Sequence, residues 1–99
     1  MEPDNAWVRP LAEGVRIYVE VQGRPLRRYA VTLQIRSRSG WQTIFLLDNA
    51  HGDHDMHRYT EDTKQPAERF MEGDPREVLP AAIAFLVNRW KAIVESWKS

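Results

Sequence analysis

The chain has no cysteine. Disulfides, thiolate metal sites, cysteine nucleophiles and iron–sulfur clusters are therefore excluded. An excess of one charge is missing too: fourteen basic residues balance fourteen acidic ones, so bulk charge implies no polyanionic partner. No apolar stretch approaches the ~18 residues of a membrane-crossing helix. The start, Met1-Glu2-Pro3-Asp4-Asn5, has neither the positive cap nor the apolar stretch of a secretory signal. The expectation is a cytoplasmic protein with no membrane association. Internal repeats, low-complexity tracts and long linkers are absent, and ninety-nine residues are too few for two independent cores. What is present is aromatic. Four Trp, three Tyr and three Phe sit within 42% hydrophobic residues, enough for one compact core.

The zero net charge hides a segregation. Residues 1–47 carry seven arginines and four acids, residues 48–74 eight acids and three bases, and residues 75–99 four bases and two acids. Arginine outnumbers lysine eleven to three. Arg suits bidentate contacts to phosphate or carboxylate, although a GC-rich genome produces the same bias with no functional meaning.

Residues 1–14, with Pro3, Pro10 and Gly14, read as an irregular arm tethered by Trp7, Val8 and Leu11. Val15–Gln22 then alternates with period two, as a half-buried strand does. A second strand follows the Gly23-Arg24-Pro25 break. Tyr29, Val31, Leu33 and Ile35 face one way, and Arg28, Thr32, Gln34, Arg36 and Arg38 the other. Ser37-Arg38-Ser39-Gly40 supplies a hairpin loop. Trp41–Leu47 is apolar at nearly every position, which predicts a central strand covered on both faces. Asp48–Asp55 is rich in poor strand formers and reads as a loop. Met56–Glu61 returns as a fourth strand with His57, Tyr59 and Glu61 on one face. Residues 62–73 read as a surface connection anchored by Phe70 or Met71.

The clearest element is the last. Asp74-Pro75-Arg76-Glu77 has the order of an N-cap, a first-turn proline and a capping acid. Leu79, Ile83, Leu86, Trp90, Ile93 and Trp97 then form a stripe at helical spacing. Pro80 lies too deep for a first-turn proline and predicts a kink or a late start. Such a stripe needs a sheet to lie on. The expected fold is α+β, a single domain 1–99: arm 1–14, an antiparallel four-stranded β-meander over 15–61, and a C-terminal helix over 74–98 packed on one face.

Chemistry concentrates in Asp48-Asn49-Ala50-His51-Gly52-Asp53-His54-Asp55-Met56-His57-Arg58-Tyr59, which holds all three histidines. Histidine exchanges protons near neutral pH. Three readings follow. One is metal binding by imidazole and carboxylate, although spacing by three aligns ligands only on a helix and Gly52 opposes one. Another is metal-independent cleavage of RNA, which needs a base, an acid and a cation for the phosphate. His54 and His57 would exchange protons, with Arg58 or Arg36 steadying phosphate, Arg28 and Asn49 extending the substrate contacts, and His51, Asp48 and Tyr59 orienting the loop. The third is a solvated loop rim, with Asp48-Asn49 capping a turn and Gly52 supplying a positive φ. The polar sheet face has an equally plain explanation, since antiparallel sheets commonly keep one face in water.

The order of a meander ending in Asp48-Asn49-x-His51-Gly52, then further histidines, Arg58-Tyr59 and one helix, resembles the small bacterial proteins typified by the TumE-type toxins. The resemblance covers residues 28–95, with its specific part at 48–59, and singles out Asp48, Asn49, His51, Gly52, His54, His57 and Tyr59. It implies one half of a bacterial toxin–antitoxin pair. Taken together with the RNA-cleavage reading of the residue types, the expectation is a toxin-like ribonuclease without cofactor, with an antitoxin, RNA or a second copy as partner. The alternatives are a non-catalytic interaction module, sensitive at Arg28, Arg36 or Trp41, and a His/Asp metal-binding protein.

Overall fold

A computed structural model describes residues 2–60 and 63–98. Its order is β1 (Asn5–Ala12), β2 (Val15–Gln22), β3 (Arg28–Ser37), β4 (Gly40–Asp48), β5 (His54–Arg58), β6 (Glu68–Met71) and α1 (Pro75–Lys98). The strands form one antiparallel sheet in chain order. The α+β class, the meander and the C-terminal helix are as expected, but the sheet has six strands rather than four.

The added strands are β1 and β6. The expected arm over 1–14 is mostly β1, paired with β2 from Asn5↔Val21 to Ala12↔Val15. Pro10 is tolerated because β1 is an edge, where a missing N–H costs no ladder bond. Of the three expected tethers, Leu11 packs on the core, whereas Trp7 and Val8 are 39% and 42% exposed. The expected connection over 62–73 contains β6, and Phe70 is its anchor, meeting Phe85 of α1 edge-on at 5.4 Å. The fourth predicted strand begins earlier than expected, at His54, and ends at Arg58. Glu61, placed on that strand by the sequence, lies outside the described residues.

Cross-strand partners share a face, so register sorts the side chains. Ile17, Leu33 and Phe45 line one row of the helix side, and Val19, Val31 and Leu47 the next. All six are fully buried, and Val78, Ala82 and Leu86 of α1 pack with them. The other side carries Val8, Tyr18, Thr32, Leu46 and His57 in one row, and Glu20, Ala30, Asp48 and Asp55 in another. No helix covers it among the described residues. Trp41–Leu47 is central, as expected, yet not covered on both faces: Trp41 is 38% exposed. Its continuous apolar run has another cause. The register jumps from Leu33↔Phe45 to Gln34↔Thr43, leaving Ile44 as a bulge residue. A bulge puts neighbouring side chains on the same side, and both Ile44 and Phe45 are buried.

The buried seam of α1 runs Val78–Ala82–Leu86–Ile93–Val94. Relative to the predicted stripe it is rotated by one residue at its start, with Leu79 and Ile83 half-buried beside it. Ala82 is fully buried in that seam and belongs to the core cluster. Asp74 caps the helix, its Oδ1 accepting from the Arg76 N–H at 2.8 Å. The helix continues through Pro80 without a late start.

Candidate functional site

The histidine segment turns out to be largely structural. Asn49 is buried; its Oδ1 accepts from the Tyr29 N–H at 2.9 Å and its Nδ2 donates to the Arg27 carbonyl at 2.7 Å. The side chain thereby substitutes for a missing ladder partner at the start of β3. The Gly52 N–H closes the turn on the Asn49 carbonyl at 3.1 Å, with Gly52 at φ +94°. Arg28 donates to the Ala50 carbonyl from outside the loop. Arg28 and Asp48 share a cleft of about 530 Å³ with Gln22 and Ala50. His51 stands exposed at the loop tip.

His54 is buried on the helix side. Its Nε2 lies 2.7 Å from the Gly73 carbonyl and its Nδ1 2.7 Å from the Tyr29 hydroxyl. A carbonyl only accepts, so Nε2 carries the proton and, in the neutral ring, Nδ1 accepts from the phenol. Burial, then the carboxylates of Asp48 and Asp55, push the Tyr29 phenol above its ordinary range, which keeps it a donor. His54 thus fastens β3 to the corner between β6 and α1. Gly73 makes that corner at φ +141°.

His57 points to the opposite side. Separation by three along a strand guarantees this, because strand side chains alternate. His57 is 7% exposed, and neither ring nitrogen has a hydrogen-bond partner among the described residues. On the same side Asp48 stands directly opposite Asp55, and Asp48 Oδ1 is buried without a partner among the described residues. Tyr59 follows the end of β5; burial first and Asp48 second raise its phenol. Arg58 faces the helix side, its guanidinium 5.3 Å from the Phe45 ring centre. The structure therefore brings Asp48, Asp55 and His57 to one side and leaves His54, Arg58 and His51 elsewhere. Among the described residues no group of three acidic or imidazole side chains could hold a metal ion.

The helix-free side carries a second constellation. Arg36 pairs with Trp41 across the hairpin, and Arg16 pairs with Gln34. The Arg16 guanidinium stacks 4.1 Å from the centre of Trp41 and 5.7 Å from that of Tyr18, while Arg36 lies 5.5 Å from Trp41. Arg16 Nε donates to Gln34 Oε1 at 2.8 Å, fixing the guanidinium. Sequence reading picked out Arg36 and Trp41 but gave Arg16 and Tyr18 no role. The signal was available: both sit on the polar phase of β2, and the short hairpin sets Arg36 opposite Trp41.

Residues 1–99 match the model of a family described as "Domain of unknown function (DUF7718)". The chain belongs to this family. No curated protein and no solved structure matches it. The resemblance to TumE-type toxins gains nothing from these comparisons.

Proposed function

We propose that the chain is a non-catalytic protein-interaction module whose contact surface is the helix-free side of the sheet. The observation that carries this reading is Trp41, 38% exposed and stacked with Arg16 at 4.1 Å. Trp, Tyr and Arg dominate binding energy at protein interfaces. A guanidinium already held against an aromatic ring loses little freedom when it binds. Arg16 and Arg36 lie towards one end of this side, and Glu20, Asp48 and Asp55 towards the other. A nucleic-acid strand laid along it would run onto carboxylates. A folded protein with the complementary pattern would not, and such patterning sets specificity.

A toxin-like ribonuclease stands second. Its chemistry needs a general acid and a general base at one phosphodiester, whereas His54 and His57 occupy opposite sides and both nitrogens of His54 are engaged. The test is a photo-crosslinking amino acid at Thr43, beside Trp41, with Ala92 on the exposed side of α1 as control. Position 43 is expected to give a discrete protein adduct in cells that position 92 does not, lost on Trp41→Ala. Equal adducts from both positions, or none, overturn the module. Growth arrest on expression that His57→Ala relieves would put the ribonuclease in its place.

A further inference from the structure

On the other side of the sheet, the last turns of α1 and the facing parts of β4 and β5 enclose a cleft of about 360 Å³. Small-molecule sites span roughly 300–1,000 Å³. Phe45, Ile93 and Trp97 give the cleft an apolar wall, and Thr60 and Gln65 a polar one. Its only formal charge among the described lining residues is Arg58.

Two donors lining the cleft, on Arg58 and Trp97, have no acceptor among the described residues. Thr60 and Gln65 are already engaged, Gln65 Nε2 donating to Thr60 Oγ1 at 3.4 Å and Thr60 Oγ1 to the Thr63 carbonyl at 3.2 Å. Arg69 and Arg76 hold carboxylates, but Arg58 forms no ion pair among the described residues. Its guanidinium carbon lies 5.3 Å from the centre of the Phe45 ring, and its fork of N–H donors can take a carboxylate two-handed. The indole N–H of Trp97, likewise without an acceptor among the described residues, is buried behind the apolar wall. The C-terminal end of α1 brings a partial negative charge, about half a unit. The whole unit on Arg58 outweighs it and confines an anionic head to the Arg58 end.

We infer that this cleft binds a small amphipathic carboxylate, its head on the Arg58 fork and an apolar body the size of one ring against Phe45, Ile93 and Trp97. The site is separate from the Trp41 surface and stands whether or not that surface binds a protein.

Phenylacetate is the probe, titrated into the full chain and followed by NMR at Arg58, Ile93 and Trp97. Saturable shifts at these residues are expected at millimolar concentrations. The neutral 2-phenylethanol should bind about tenfold more weakly or worse, and Arg58→Gln should weaken phenylacetate by about the same factor. Arg58→Lys should fall between, keeping the charge and losing the fork. Arg38→Gln, in the turn between β3 and β4, should leave phenylacetate binding unchanged. Absence of saturation, equal binding of the alcohol, or undiminished binding by a folded Arg58→Gln variant overturns the site. Tighter binding of phenyl phosphate than of phenylacetate overturns the carboxylate assignment.

Discussion

His54 is held at both ring nitrogens, and those two bonds make it a strut. Tyr29→Phe keeps the ring packing, its phenyl still stacked 5.6 Å from the imidazole, but leaves Nδ1 buried without a donor. The expected cost is about 1–3 kcal/mol in denaturant melts. The pH profile carries a second signature. Folding raises the Tyr29 phenol above its ordinary value of 10.0, so its contribution is fully present below pH 10 and drains away as pH climbs past it. Stability should fall across that alkaline range, and less steeply in Tyr29→Phe; the slope does not vanish, because Tyr59 is shifted the same way. An unchanged slope would remove the assignment. His57 predicts the opposite of His54. With no partner at either nitrogen among the described residues, His57→Met should leave the unfolding free energy unchanged or raise it, by up to about 1 kcal/mol. A clear loss would show that the imidazole has a partner. The residue types that mattered were legible in the segment 48–59, but their roles were not. Asp53 and Asp55 are poor strand formers, so β5 was expected to start after His54. Pairing with Asp48 overrides that preference and puts His54 and His57 on one strand, where odd spacing separates them.

At the scale of elements, α1 tests how its buried seam is chosen. Leu86 is fully buried and Leu79 only half-buried. Leu86→Ala should therefore cost about 2–5 kcal/mol, and Leu79→Ala distinctly less; equal costs would contradict the rotated seam. Helix existence, start and face were readable because capping and 3.6-residue spacing are local signals. The one-residue rotation was not, since Ala82 scores as a weak apolar residue and only the nearness of the sheet makes it a core position. The cap adds an acid-side expectation. The Arg76 guanidinium, then its N–H, hold the Asp74 carboxyl at about 2, below its ordinary 3.8. That contribution is complete above 3.8 and disappears as pH falls through about 2. Asp74→Asn, which still caps, should flatten acid unfolding over this window. The two missed strands fail for different reasons. β1 contains a proline that only an edge tolerates, and β6 is four residues long, too short for alternation to stand out.

Across the whole molecule, the sheet separates two surfaces with the core between them. Trp41 belongs to one and Arg58 to the other. The stability effects of Trp41→Ala and Arg58→Gln should therefore add within about 0.5 kcal/mol in the double variant. A larger coupling would mean that strain passes through β4. The charge segregation read from the sequence also acquires a location. The acid-rich middle segment supplies the β4–β5 turn, β5 and β6, while four of the seven arginines of the first segment lie on β1, β2 and β3 and the other three in the turns after β2 and β3.

Chain order has a consequence during synthesis. Each strand finds its neighbour immediately behind it, so the ribbon zips up from β1 onward with short loop closures, which favours quick assembly. The helix that roofs Ile17, Val31 and Leu47 is translated after all six strands. A nascent chain therefore displays a greasy, half-built sheet to the ribosome surface and to chaperones, and slow codons just ahead of Asp74 would lengthen that exposure.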